Sequence, residues 1–313
     1  MSVFSSETTK LFLPRNIADG IIKDTITEST VAKLSGSEPQ KFGEVDYIVF
    51  NEAPRAQYVG EGAQKSASTA SWATVTAKPR KAQVTLRFNE EVQWADEDYQ
   101  LSILSELGNA GATALSRALD LGLYHRIQPT TGQAITDWTN YLTATTNKVT
   151  LGSTPADDAL RSAIGLLVNS TRPKHINGIA LDPGYGWLLA NTKNDKGELK
   201  YPTLGFGTDI TSFFGTPVAI GDTVSARPEA ADTGVRAIVG DFQNGIRWAI
   251  QRNIPIELIR YGDPDGQGDL KGRNQIALRL EIVYGWYVFT DRFALVTTTP
   301  EVTGGDLEEG GTE

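Results

Sequence analysis

Cysteine is absent from the 313-residue chain, and histidine occurs only twice, at His125 and His175. The first absence excludes disulfides, thiolate metal sites and a cysteine nucleophile. The second excludes a three-histidine metal centre. No apolar run approaches the roughly 20 residues that span a bilayer, so no membrane partner is expected. The opening stretch, MSVFSSETTKLFLPRN, lacks the basic-then-apolar layout of a secretion signal. An excess of positive charge is missing too: 29 Lys and Arg stand against 38 Asp and Glu, a net charge of −9. Nucleic-acid binding draws on Lys and Arg that displace counterions, so sequence-specific binding of DNA or RNA is not expected.

Catalytic signatures are equally scarce. GxSxG, HExxH and P-loop patterns do not occur. Gly60-Glu61-Gly62 opens like a dinucleotide fingerprint, but Lys65 stands where the third glycine belongs. Asp263, Asp265 and Asp269 resemble a calcium loop, yet the glycine is misplaced and Asn274 occupies the twelfth position, which needs an acid. A plain turn is expected there. No catalytic residue, cofactor or metal is expected.

What is present describes a globular chain: 40% hydrophobic and 21% charged residues, with length enough for two domains. Residues 1–40 are polar and weakly periodic, with too little apolar surface for a core of their own, and read as an arm that lies on something else. A strand is expected at Val45–Phe50. Residues 54–80 are rich in Ala, Ser, Thr and Gly, and loops this long are uncommon unless functional. Alternation from Ala82 to Trp94 predicts the next strand, so the loop becomes the tip of a projecting hairpin or else an unstructured surface segment. Asp96 or Asp98 is placed to cap a helix to about Tyr124, with Leu104, Leu107, Gly111, Leu115 and Leu119 on one face. Glycines on such a helix suggest close approach of another backbone. His125 ends it, where a cation suits the helix dipole.

Beyond residue 154 the pattern becomes α/β. Thr154-Pro155 begins a helix to about Asn169, followed by a strand at Gly178–Leu181, a short helix near Tyr185 and strands at 217–220 and 235–239. The final third reads as strand. Ile276, Leu278, Leu280, Ile282, Tyr284, Trp286 and Val288 give seven consecutive apolar residues at period two. Residues 300–313, acidic and glycine-rich, read as a flexible tail.

The order is arm, hairpin, long helix, α/β unit and long antiparallel strands. With it go YVGEGAQKSAS from Tyr58, LDPGYGWLLANTKNDKGELKYP from Leu181, FFGTPVAIGDTV from Phe213, GDFQNGIRWAIQRNIPIEL from Gly240 and NQIALRLEIVYGWYVFTDRFALV from Asn274. Together these resemble the major capsid proteins of tailed double-stranded DNA phages, which have the Hong Kong 97-type fold. The resemblance implies an α+β fold with a peripheral domain (41–53, 81–126 and 246–284) around a spine helix at about 96–124. It also implies an axial domain (127–245 and 285–299), an extended loop (54–80) reaching over a neighbour and an arm (1–40) under another subunit. The chain would assemble into hexamers and pentamers of a phage head, formed in the host cytoplasm around genomic DNA, with scaffold, portal and decoration proteins as possible partners. Only about 40 residues precede the first motif, so assembly would need a separate scaffold, or none. The loop residues Tyr58, Gly60, Glu61, Lys65, Trp72, Lys78, Arg80 and Lys81 would meet the neighbour, its basic groups facing carboxylates.

Some members of that family join a loop lysine to a neighbour's asparagine with help from a glutamate, and Lys65, Asn274 and Glu281 fall at the matching places. On a regular strand Asn274 and Glu281, seven apart, would face opposite ways, so the three would come from different subunits. Two alternatives stay open: an encapsulin-type shell around an enzyme cargo, and a soluble α+β hydrolase or binding protein.

Overall fold

The computed structural model describes residues 29–52, 56, 58–62, 64, 71–91 and 97–298. Readings made for residues 1–28 of the arm, Lys65, Val92, Trp94, the Asp96 cap and the 300–313 tail lie outside the described residues. So does the side chain of Leu104.

The strongest sequence pattern produces the longest well-packed strand. Gln275–Val288 (β9) buries its whole even series, with each of those seven side chains at most 3% exposed. It pairs antiparallel on one side with Ile246–Ile259 (β8), through bulges at 250/252 and 254/257. On the other it pairs with the second half of Ser71–Asn89 (β2), from Lys78↔Trp286 to Asn89↔Gln275. The first half of β2 pairs instead with Val45–Glu52 (β1), from Val45↔Ala77 to Phe50↔Trp72. β1 and β9 therefore share β2 end to end, and the β1–β2 stretch is a ribbon only two strands wide.

Glu97–His125 (α2) lies against this sheet. Leu115 and Leu119 are buried, and Tyr284 Oη donates to the Leu115 carbonyl at 3.1 Å. A Cβ at Gly111 would sit 2.9 Å from Leu280 Cδ2. The glycine thus admits a side chain, where the sequence suggested a second backbone. Asp98 lies inside the helix rather than capping it.

These elements belong to one compact unit, made among the described residues of 36–119 and 246–288. The segment after Ser35 runs beside β8: Glu38 N donates to Trp248 O at 2.8 Å, the Glu38 carboxylate pairs with Arg247, and Gln251 Nε2 donates to Gln40 Oε1 at 3.0 Å.

The second unit comprises 29–35, 120–245 and 289–298. The chain divides after Leu119 and after Val288, whereas the resemblance implied divisions near 126 and 284. Its six-stranded sheet has the order β3 (Lys148–Thr150), β10 (Phe293–Thr297), β7 (Val235–Gly240), β4 (Gly178–Leu181), β6 (Thr216–Ile220), β5 (Ser212–Phe213). Leu160 and Leu167 of Ala156–Val168 (α3) and Tyr185 and Leu189 of Pro183–Ala190 (α4) pack on Ile179, Leu181, Val239 and Val296. Asp182 caps α4 by accepting from Gly184 N at 2.9 Å, the role expected of an aspartate before a helical proline.

Residues 29–35 correct the arm reading. Thr30–Leu34 (α1) is part of this unit's interior, with Ser29, Thr30, Val31, Leu34 and Ser35 all buried. Polar composition concealed this, because the segment is held mainly by hydrogen bonds.

Candidate functional site

The hairpin is the first place to look for assembly contacts. The strand begins at Ser71, so Trp72, Lys78 and Arg80, read as loop, stand on β2, as does Lys81 just beyond. Ala73, Val75 and Ala77 alternate with Trp72, Thr74 and Thr76. The inward alanines carry too little hydrophobicity to announce a strand by periodicity.

Side-chain direction then follows from the pleat. Val45, Tyr47 and Val49 share one face with Ala73, Val75 and Ala77, and this face is half-buried or buried. Tyr47 Oη accepts from Gln40 Nε2 at 2.8 Å, and burial raises its phenol. The opposite face carries Asp46, Ile48, Trp72 and Thr74, with Ile48 69% and Trp72 66% exposed. Tyr58 and Val59, nearer the tip, are exposed too, as are Gly60 and Glu61.

Among the described residues, Lys78, Arg80 and Lys81 each have a partner inside their own unit. Lys81 Nζ lies 2.7 Å from Glu281, and Lys78 lies 3.8 Å from Glu44. The Arg80 guanidinium stacks over Trp286 at 4.6 Å, and burial lowers it to about 10. Lys78 stays 63% and Lys81 50% exposed in these pairs.

Of the proposed cross-linking set, Lys65 lies outside the described residues. Asn274 is not on the strand. It closes a short turn in the left-handed region at φ 53°, and its carbonyl accepts from Glu90 N at 2.8 Å. The argument from seven-residue spacing on one strand therefore does not apply. Glu281 is on β9, with its side chain 14% exposed and held by Lys81. The acidic loop before Asn274 is organised by a cation from its own chain: Arg87 on β2 pairs with Asp263 at 3.0 Å and with Asp265, and donates to Gly268 O at 2.8 Å. Among the described residues, no cluster of acids and histidines is arranged to hold a metal ion.

The second unit holds a buried polar centre that no pattern announced. Asp120, on α2, is 1% exposed. Its carboxylate accepts from Ser29 Oγ, from Thr30 N at 2.9 Å and Thr30 Oγ1 at 2.7 Å, from Val31 N at 3.3 Å and from Thr223 Oγ1 at 2.9 Å. Burial raises its carboxyl, while the donors pull it back down. Ser29 also caps α1 through Ala32 N. One carboxylate thus pins the start of α1. The signal in sequence was only a Ser-Thr pair before an apolar turn.

His125, expected as a cation at the helix end, is buried, with Nε2 2.9 Å from Val224 O and 3.2 Å from Thr223 O. Desolvation lowers it to about 4, so at neutral pH it is an uncharged donor. Beside it a recess of about 430 Å³ includes Arg126, Tyr141 and Lys148. Arg126 is stacked 4.7 Å over Tyr141 and donates to the Thr136 and Trp138 carbonyls, which ties down the local loop.

The family model described as the phage capsid family matches residues 10–292. This chain belongs to the phage capsid family. It is similar to a solved chain of Mycobacterium phage Ogopogo, at 43% identity over 87% of this chain and 92% of that one, with a TM-score of 0.78. A Gordonia phage Cozz chain shares 29% identity over 88% and 87%, with a TM-score of 0.76. At 14% identity, the capsid of a native GTA particle shares the fold over 88% and 90%, with a TM-score of 0.59. No curated protein matches the chain. The fold is the Hong Kong 97-type capsid fold, and the protein is a major capsid protein that forms a phage head, a virion component acting structurally through multimeric assembly. Among the described residues, no helix is long and apolar enough to cross a membrane.

Proposed function

We propose that copies of this phage capsid protein group into hexamers and pentamers whose shell encloses double-stranded DNA without reading its sequence. The β1–β2 hairpin reaches onto a neighbouring copy, and residues preceding Ser29 supply the arm. The net charge of −9 supports passive containment, since the wall attracts DNA weakly. Assembly takes place in the host cytoplasm, with scaffold, portal and decoration proteins as partners.

The observation that carries the hairpin's role is the two-strand width of the β1–β2 ribbon. Such ribbons are marginal alone and need a third layer. Electron microscopy and sedimentation of the purified protein test this reading. Full-length protein should form closed shells, and deletion of residues 54–70 should leave free capsomers or monomers. Shells of normal size from the deletion variant would overturn it.

Covalent closure by Lys65, Asn274 and Glu281 is the finer reading. The ion pair of Glu281 with Lys81 counts against it. Assembled shells should boil to monomers on a denaturing gel, and a ladder lost in Lys65→Arg would establish the cross-link instead.

A further inference from the structure

We propose that the hairpin docks on the adjacent copy through its Ile48–Trp72 face, and that this contact is apolar rather than ionic. The inference rests on the proposed reach of the hairpin and specifies the chemistry of that contact.

The ribbon has two faces, and among the described residues only one is covered. The Tyr47 face lies toward Gln40 and is half-buried or buried. The other presents Ile48 and Trp72, each about two-thirds exposed. In register, Ile48 stands opposite Thr74 and Phe50 opposite Trp72. Ile48 and Trp72 are therefore diagonal neighbours on one face, within reach of each other for side chains of this size. A lone exposed apolar residue is ordinary. Here a tryptophan and an isoleucine lie together on a ribbon that, among the described residues, has no third layer on that face.

The polar groups along the same stretch point to the same conclusion. Thr76 Oγ1 donates to Asp46 Oδ1 at 2.6 Å, Lys78 faces Glu44, and Lys81 is paired with Glu281. Arg80 is engaged with Trp286. These side chains have partners in their own chain, and beside Asp46 and Thr74 the large groups left outward on this face among the described residues are Ile48 and Trp72. The occupant is a second copy, because the chain is a capsid protein that assembles with itself.

Four full-length proteins decide the matter: wild type, Trp72→Ser with Ile48→Ser, a charge variant (Lys78→Gln, Lys81→Gln and Glu281→Gln), and the 54–70 deletion. Shell yield is read by sedimentation across NaCl from about 50 mM to about 1 M, where the Debye length falls from over 10 Å to about 3 Å. The apolar variant should lose shells about tenfold or more, a change worth about 1.4 kcal/mol per decade. The charge variant should assemble like wild type, and high salt should leave assembly unimpaired. Loss of shells in the charge variant or in high salt, with the apolar variant unaffected, would overturn the proposal. Normal shells from the deletion would instead remove the hairpin's role altogether.

Trp72→Phe, a conservative change that does not depend on the double serine variant folding, provides a second reading. The blue shift of tryptophan emission on assembly should shrink in this variant, since indole moves from water to an apolar contact. An unchanged shift would place Trp72 outside the interface and sink the idea.

Discussion

Replacing Asp120 with asparagine tests how the start of α1 is held. The carboxylate accepts from five donors: Ser29 Oγ and Val31 N on Oδ1, and Thr30 N, Thr30 Oγ1 and Thr223 Oγ1 on Oδ2. Asparagine keeps one oxygen and turns the other into a donor. Whichever way the amide sits, at least two donors then face an N–H₂. Hydroxyls can rotate to accept; a backbone N–H cannot. Hydrogen bonds to a charged group contribute about 1.5–3 kcal/mol each, partly offset here because a buried charge also disappears. A net loss of about 3 kcal/mol follows for the docked segment, or about 100-fold in its opening equilibrium. Native-state hydrogen exchange reads this directly at Lys33 and Ser35, whose amides donate to the Ser29 and Val31 carbonyls. Their protection should fall about 100-fold while the paired amides of β4 and β7 stay put. Unchanged protection at Lys33 and Ser35 would refute the reasoning. Uniform loss through β4 and β7 would refute it as well, since Asp120 would then support the whole sheet rather than the segment.

Two further outcomes follow from the same geometry. His125 has its folded value lowered to about 4 from 6.5, so its contribution is fully present above pH 6.5 and is lost as pH falls toward 4. That shift corresponds to about 3 kcal/mol and one proton taken up on unfolding. Urea midpoints should drop between pH 7 and 4.5 in wild type and much less in His125→Gln, and parallel pH profiles would show that another group carries the effect. At Gly111, a valine would meet Leu280 with no room to spare and should cost about 1–3 kcal/mol by overpacking. Gly111→Val should cost markedly less in a Leu280→Ala background, and additive denaturation energies would show that the two sites do not touch.

The legible parts of the sequence were those with a strong local period. β9 declared itself because each of its even residues is large and apolar, and α2 because Leu107, Gly111, Leu115 and Leu119 return every fourth position. The first half of β2 was invisible: its inward residues at 73 and 77 are alanines, which bury well and signal little. Asp120 was unreadable for another reason. Its partners lie about 90 and about 100 positions away, and no short-range pattern records a long-range hydrogen bond. His125 was placed correctly at the helix end but given the wrong charge, because burial, which reverses its titration, is a property of the fold. Lys81, read as an interface cation, and Glu281, read as a cross-linking acid, pair with each other across adjacent strands.

β2 passes from one partner strand to another without a break. Its 19 residues run straight through Lys78 and Pro79, where β1 ends and β9 takes over. At about 3.3 Å per residue this is a member about 60 Å long, cantilevered at one end and anchored in a sheet at the other. A sideways push on the outer end cannot be absorbed by a hinge within it. It must be taken up inside the sheet, where Val84 of β2 stands opposite Leu280 and Leu280 lies against Gly111. In the proposed docking of the hairpin, a load on its tip would reach α2 of its own subunit as well as the neighbour it touches.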